Sequence, residues 1–195
     1  MGSEVFGVVS LPGQQHYQAI KALWREIETK FGIPPIERTI VPHFTHHCAE
    51  RYDGEQLERL LTERAQELTR FTVPCGPVAI ANAGDYPVFF LVLARSPALA
   101  RIHEELWQDL EPLGEGIIDR YAPETWLPHI TLTPDGFPRE HTGDLAAFLS
   151  EQDFEWEVEV DNFTLLHDTG ERQQVEWRVL FGGGTMPTQA SADAG

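Results

Sequence analysis

The sequence of 195 residues contains only two cysteines, Cys48 and Cys75. They stand too far apart in the chain for the paired spacing of a metal knuckle or of a redox-active Cys-x-x-Cys motif. We therefore expect two reduced, partly buried thiols, and no metal centre or redox pair built from cysteine.

Basic residues are also scarce. Lysine and arginine together number 14 against 31 aspartates and glutamates, for a formal net charge of −17. A surface with this balance repels nucleic acid over most of its area, because attraction to phosphate requires positive charge. The composition argues against a protein that follows long duplexes. It leaves room for a small nucleotide, or an RNA end, held in a local pocket.

Long apolar runs are missing as well. No stretch approaches the ~20 apolar residues that span a bilayer, and the first five residues lack the basic and apolar regions of a signal peptide. We expect a cytoplasmic protein without membrane contact, and a monomer. The length is sufficient for one domain, or for two small, closely packed lobes.

Two parts of the chain repeat one order of predicted elements. Residues 5–10 are β-prone, a helical apolar stripe follows, and residues 36–47 again have the pattern of a strand. The same order returns with a strand over 88–95, a helix that begins at Ser96-Pro97, and a strand over 125–133. The two halves, about 4–47 and 86–133, look like a diverged duplication.

The remaining segments complete an α+β pattern. A helix capped by Asp53 and a strand over 72–81 lie between the halves, and a short helix and two strands, 154–166 and 173–181, follow them. Strands mixed with helices in two similar halves predict antiparallel sheets with helices outside. We expect one domain over 1–181 and a disordered tail over 182–195, where glycine and small polar residues dominate.

Two tetrapeptides of one design carry the functional signal: Pro42-His43-Phe44-Thr45 and Pro128-His129-Ile130-Thr131. Side chains alternate across a strand, so each tetrapeptide offers an imidazole beside a hydroxyl on one face. Two such pairs that face each other supply one imidazole as base, a second as acid, and two hydroxyls for phosphate oxygens. The proline before each histidine removes a ladder donor, which predicts a strand edge, a bulge or a sheet opening.

With 86 positions between the two histidines and a strand-helix-strand order before each, the chain resembles the 2H phosphoesterase superfamily, and most closely its bacterial 2′-5′ RNA ligase-like branch. The likeness runs from about residue 5 to residue 181. It implies a bilobal α+β fold with two pseudo-symmetric lobes around a central cleft. It also implies His43 and His129 as the acid/base pair, and Thr45 and Thr131 as phosphate-binding hydroxyls.

The same resemblance implies a metal-independent phosphodiesterase without a cofactor. Its members act on 2′,3′-cyclic or 2′-5′-linked phosphates, so a small nucleotide or an RNA end is the implied partner. Many relatives carry a basic residue after the second motif. This chain has Leu132-Thr133-Pro134 there instead.

Further residues are candidates for the lining of the pocket. Strand alternation places His47 on the face of His43 and Thr45, and base recognition needs an aromatic face or a guanidinium near the cleft. The candidates by position in the sequence are His47, Tyr52, Tyr121, Arg51 and Arg120.

Other interpretations stay open at this stage. The same residues would serve an RNA-end ligase, or a non-catalytic module that binds a nucleotide or phosphometabolite. A metal site built from His43, His47 and a carboxylate is conceivable on one strand face, but the second half offers no matching cluster of ligands. The near-symmetry of the motifs leaves open which histidine is the acid and which the base.

Overall fold

The computed structural model describes residues 4–182 and the backbone of Thr185–Met186, and this part of the chain forms ten strands and four α-helices. The strands are β1 (Val5–Ser10), β2 (Phe44–Tyr52), β3 (Phe71–Ala83), β4 (Tyr86–Leu93), β5 (Gly114–Ile117), β6 (His129–Thr131), β7 (Trp156–Val160), β8 (Asn162–Asp168), β9 (Gln173–Leu180) and β10 (Thr185–Met186). The helices are α1 (Gln14–Phe31), α2 (Gly54–Glu67), α3 (Pro97–Leu110) and α4 (Thr142–Ser150). Most of the tail expected over 182–195 lies outside the described residues, since 183, 184 and 187–195 are not among them.

The strands form two antiparallel sheets. The first has the order β10-β9-β8-β1-β2-β5 and the second the order β6-β4-β3-β7. In each half the motif strand pairs antiparallel with the first strand of that half: β2, which begins at Phe44, pairs with β1, and β6 pairs with β4. The predicted α+β class with antiparallel sheets is therefore confirmed.

Each crossover helix packs on the sheet of the other half. The stripe of α1, with Trp24 and Ile27 at its centre, shares one buried cluster with Phe89 and Leu91 of β4. Helices α2 and α3 share a second cluster with β1, β8 and β9. Because each half covers the sheet of the other, the two halves form a single packed unit, and the motif segments meet between the sheets.

Local sequence signals account for the helix ends. The side chain of Asp53 accepts a hydrogen bond from the backbone N–H of Gln56 at the start of α2, and Ser96 caps Leu99 in the same way at the start of α3. Helix α1 ends at Gly32, whose φ of 64° is the left-handed conformation that glycine adopts without strain. No described helix combines the length and the apolar character needed to cross a membrane.

Candidate active site

Both tetrapeptide motifs line one cleft between the two sheets. His43 and Thr45 reach it from the first half, and His129 and Thr131 from the second. The cleft has a volume of about 290 Å³, which is near the lower end of the range for small-molecule sites. The structure thus brings together the four residues that the sequence places at the centre of the chemistry.

Strand pairing explains how each motif reaches the cleft. Thr45 lies opposite Val9 of β1 on the cleft face, and His43 directly precedes β2. In the second half, His129 and Thr131 lie opposite Val92 and Phe90 of β4. The intervening residues Phe44 and Ile130 are fully buried in the core, as the alternation of side chains along a strand requires.

The two histidine rings are held in the same way. The Nδ1 of His43 lies 2.6 Å from the carbonyl oxygen of Val41, and the Nδ1 of His129 lies 2.7 Å from that of Leu127. A carbonyl only accepts hydrogen bonds, so Nδ1 carries the proton and donates in both rings. In the neutral ring Nε2 then has the lone pair, and this tautomer suits a general base or, once protonated, a general acid.

The environments of the two rings differ in charge. Burial lowers the pKa of His43, and the nearby His129 lowers it further, while the hydrogen bond to Val41 and the carboxylate of Asp168 oppose the shift. Burial also lowers the pKa of His129, against the hydrogen bond to Leu127, and the guanidinium of Arg120 adds to the lowering. A carboxylate therefore favours the protonated form of one ring, and a guanidinium disfavours it for the other.

Arg120 and Tyr121 line the cleft, as the sequence analysis expected for them. They belong to a 3-10 turn, Asp119–Tyr121, and the guanidinium carbon of Arg120 lies 5.0 Å from the centre of the Tyr121 ring. Tyr121 hydrogen-bonds the side chain of Thr45, while burial raises the pKa of its hydroxyl. Within the described chain, Arg120 is the one lysine or arginine side chain that lines this cleft.

Three of the expected pocket residues lie elsewhere. The pairing of β1 with β2 shifts by one residue between Val8 and Val9, so His47 lies opposite Val8 while Thr45 lies opposite Val9. This β-bulge inverts the alternation of β2 at His46 and turns His47 away from the cleft. Its Nδ1 bonds the hydroxyl of Tyr52 instead.

The correction extends to Tyr52 and Arg51. Tyr52 packs with the cluster under α2 and α3, and exposed Arg51 pairs with Glu115, its Nη2 at 2.7 Å from Oε2. Neither side chain lines the cleft. Cys48 does line it, because the bulge returns this residue to the face of Thr45.

Several cleft residues escaped the sequence analysis. Asp168 and Gln173 reach the cleft because β8 pairs with β1 and β9 pairs with β8. Thr133 and Asp135 reach it from the segment after the second motif. Alternation along the strand could have identified Thr133, because it is the next residue on the face of His129 and Thr131. Asp168 gave no local signal, since its place depends on pairing with Val5 at the far end of the chain.

The conceivable metal site on one strand face is not assembled. His47 points to the opposite side of β2 from His43, so these two side chains cannot share a ligand set. Within residues 4–182, no group of three or more His, Cys, Asp or Glu side chains is arranged to hold a metal ion.

Comparison with solved structures shows which fold this is. The chain is similar to E. coli LigT in complex with 3′-AMP, with a TM-score of 0.56 and 20% identity over 92% of this chain and 98% of that one. LigT in complex with NADP+ gives a TM-score of 0.51 and 20% identity over 90% and 95% of the two chains. A structure described as a phosphoesterase gives 0.50 and 19% over 90% and 94%.

At the sequence level, a search of curated proteins finds no match. The family model described as the 2′-5′ RNA ligase superfamily matches residues 13–172. That range includes both His-x-Thr motifs. The chain therefore belongs to the 2′-5′ RNA ligase superfamily, the family of the 2H phosphoesterases.

Proposed function

We propose that this protein is a metal-independent phosphodiesterase that acts on 2′,3′-cyclic or 2′-5′-linked phosphodiesters of small nucleotides or RNA ends. One observation carries the proposal: two imidazoles and two threonine hydroxyls line a single cleft, and both imidazoles are held through Nδ1 by a backbone carbonyl. This arrangement leaves two Nε2 atoms for proton transfer, which is what cleavage of a phosphodiester requires.

The charged neighbours suggest a role for each ring. Arg120 disfavours the protonated form of His129, which suits a base that takes the proton from an attacking water. Asp168 favours the protonated form of His43, which suits an acid that gives a proton to the departing ribose oxygen. The cycle is complete when His129 has released its proton to water and His43 has taken a proton from water.

The hydroxyls and the guanidinium stabilise the negative charge that develops on the phosphate oxygens. Thr45 and Thr131 would donate to the non-bridging oxygens, where negative charge increases in the transition state. Arg120 lines the same cleft from the Asp119–Tyr121 turn. Its guanidinium provides the cation that the segment after the second motif, Leu132-Thr133-Pro134, lacks.

The acidic surface and the small cleft favour a small substrate. The net charge of −17 opposes the approach of long nucleic acid, and a volume of about 290 Å³ is modest for a ligand site. LigT, with a similar fold, was crystallised with 3′-AMP and with NADP+. A cyclic mononucleotide or a 2′-5′ dinucleotide is therefore the first substrate to assay.

The test is multiple-turnover hydrolysis of 2′,3′-cyclic nucleotides and 2′-5′ dinucleotides with a metal chelator present. We expect turnover by the intact protein, and a fall in kcat of at least roughly 10²-fold in each of H43Q and H129Q, since a general acid or base contributes about 10²- to 10⁴-fold. The matched control is H141Q, because His141 lies outside the cleft. Nucleotide binding without turnover, or equal activity in all variants, would show that the site is not catalytic.

A further inference from the structure

Trp126 connects the two motifs. Its indole Nε1–H donates a hydrogen bond of 2.7 Å to the backbone carbonyl of Thr45, which lies 81 positions earlier in the chain. The side chain is 3% exposed. Trp126 also stands directly before Leu127, whose carbonyl holds the ring of His129. One hydrogen bond therefore spans from the phosphate-binding residue of the first motif to the backbone that supports the histidine of the second.

The carbonyl of Thr45 is accessible to an indole because the pairing of β2 with β5 does not reach this residue. Strand β5 pairs with β2 from Ala49 to Tyr52, so Thr45 lies beyond the end of that partner. The β-bulge at His46 further disturbs the ladder at this point. A buried backbone carbonyl needs a donor, and the indole of Trp126 supplies it in place of a neighbouring strand.

The indole itself is fixed in orientation. Its ring stacks on His103 of α3, with centroids 3.7 Å apart and an interplanar angle of 13°, and it lies 5.9 Å from the ring of His46. His46 in turn bonds Ser10 of β1, with Nε2 2.8 Å from the hydroxyl oxygen. The ring that makes the connection is thus packed between groups from both halves.

From these contacts we propose that Trp126 is a positioning residue that sets the placement of His43-x-Thr45 relative to His129-x-Thr131. The inference rests on the proposed function for its kinetic consequence. Hydrolysis requires both rings within hydrogen-bond reach of the attacking and departing oxygen atoms at once, and a displacement of about 1 Å can cost roughly 10²-fold in rate. Loss of the indole N–H should therefore lower kcat more than it raises KM, because the four binding groups remain present.

The chain offers a matched control in Trp24. This residue is equally buried, and its indole Nε1 has no hydrogen-bond partner among the described residues. W126F removes a buried indole together with the connection, and W24F removes a buried indole alone. We expect kcat to fall about 10- to 100-fold in W126F with KM changed less than about 3-fold, and both constants to stay near those of the intact protein in W24F. Equal kinetics in the two variants, measured below both unfolding midpoints, would overturn the proposal.

A second variant removes the N–H with less disturbance. Incorporation of 3-benzothienylalanine at position 126 keeps the bicyclic ring that stacks on His103 and replaces the N–H by sulfur. We expect the same fall in kcat as in W126F. Full activity would show that packing, and not the hydrogen bond to Thr45, is what matters at this position.

A readout without substrate separates this inference from the proposed function. NMR titration of the His43 imidazole should respond to H129Q, because the two rings interact electrostatically across the cleft. We expect that response to shrink in the W126F background and to persist in the W24F background. An inactive protein that shows this pattern would refute the proposed function and support the positioning role, whereas an equal response in both backgrounds would refute the positioning role.

Discussion

Asp168 and His43 are connected by hydrogen bonds through the side chain of Gln173 and the backbone of Val41. The Nε2 of Gln173 donates to Asp168 Oδ2 at 3.2 Å, and its Oε1 accepts from the backbone N–H of Val41 at 3.0 Å. The carbonyl of Val41 in turn accepts from Nδ1 of His43. The hairpin of β8 and β9 therefore holds both the ring of His43 and the carboxylate that favours its protonation.

Replacement of this carboxylate should change the pH profile on one side. Asp168 raises the pKa of His43, so D168N should lower that pKa and reduce the fraction of protonated acid at a given pH. The alkaline limb of kcat/KM should then move to lower pH, with activity near pH 8 reduced about 3- to 10-fold. The control is D135N, because Asp135 lines the same cleft but bonds Tyr86. An alkaline limb that D168N leaves in place would argue against His43 as the acid.

Removal of the guanidinium should change the opposite side of the profile. Arg120 lowers the pKa of His129, so R120Q should raise that pKa and move the acid limb to higher pH. KM should rise about 10-fold as well, because a charge-assisted hydrogen bond to phosphate is lost. Arg51, which is exposed and paired with Glu115, provides the control R51Q. Equal pH profiles and KM values in R120Q and R51Q would exclude Arg120 from the site.

The hydroxyl of Thr45 can be removed with little change in shape. T45V keeps a β-branched side chain in β2, so folding should be preserved. We expect kcat/KM to fall about 10²- to 10³-fold, as when one donor to a developing charge is deleted. The same substitution at Thr72, on the exposed face of β3, should leave activity unchanged. A T45V variant with the kinetics of T72V would show that the hydroxyl does not contact the substrate.

Three buried histidines away from the cleft should make the fold sensitive to acid. Burial lowers the pKa of His46 to about 3, and those of His47 and His103 to about 4. The unfolded chain takes up these protons below pH ~6.5 and the folded chain does not, so the free energy of unfolding should fall as pH drops from about 6.5 toward 4. Each ring contributes a loss of up to about 3 kcal/mol.

Urea unfolding at pH 7.5 and pH 5 checks this expectation. H103F removes one of the three titrating rings and should lose about 2 kcal/mol less stability between the two pH values than the intact protein. H141Q, at a partly exposed position, should lose as much as the intact protein. Parallel losses in all three proteins would contradict the account of the buried histidines.

The sequence was sufficient for the central residues of the site because two features were repeated. One His-x-Thr would carry little information, but two in matching strand-helix-strand contexts predicted a shared cleft, and His43 and His129 do line one. The caps at Asp53 and Ser96 were equally readable, since each depends on a side chain and a backbone N–H three residues away.

What the sequence could not supply depends on register and on long-range pairing. Strict alternation placed His47 in the cleft, but a bulge opposite Val8 and Val9 reversed its direction, and no local signal announces a one-residue shift. A single strand was expected over 154–166, whereas the chain changes sheets at Asp161 and forms β7 and β8. The apolar positions shift there from even-numbered residues, up to Val160, to odd-numbered residues, from Phe163. This change of phase marks a break in the strand but does not say which sheet each part joins.

The central claim is that both motifs grip one phosphorus centre, and a crystal structure with a nucleoside vanadate bound tests it most directly. We predict one vanadium centre whose oxygens lie within hydrogen-bond distance of the hydroxyls of Thr45 and Thr131 and of Nε2 of His43 and His129. A vanadate bound by one motif alone, or outside this cleft, would contradict the account.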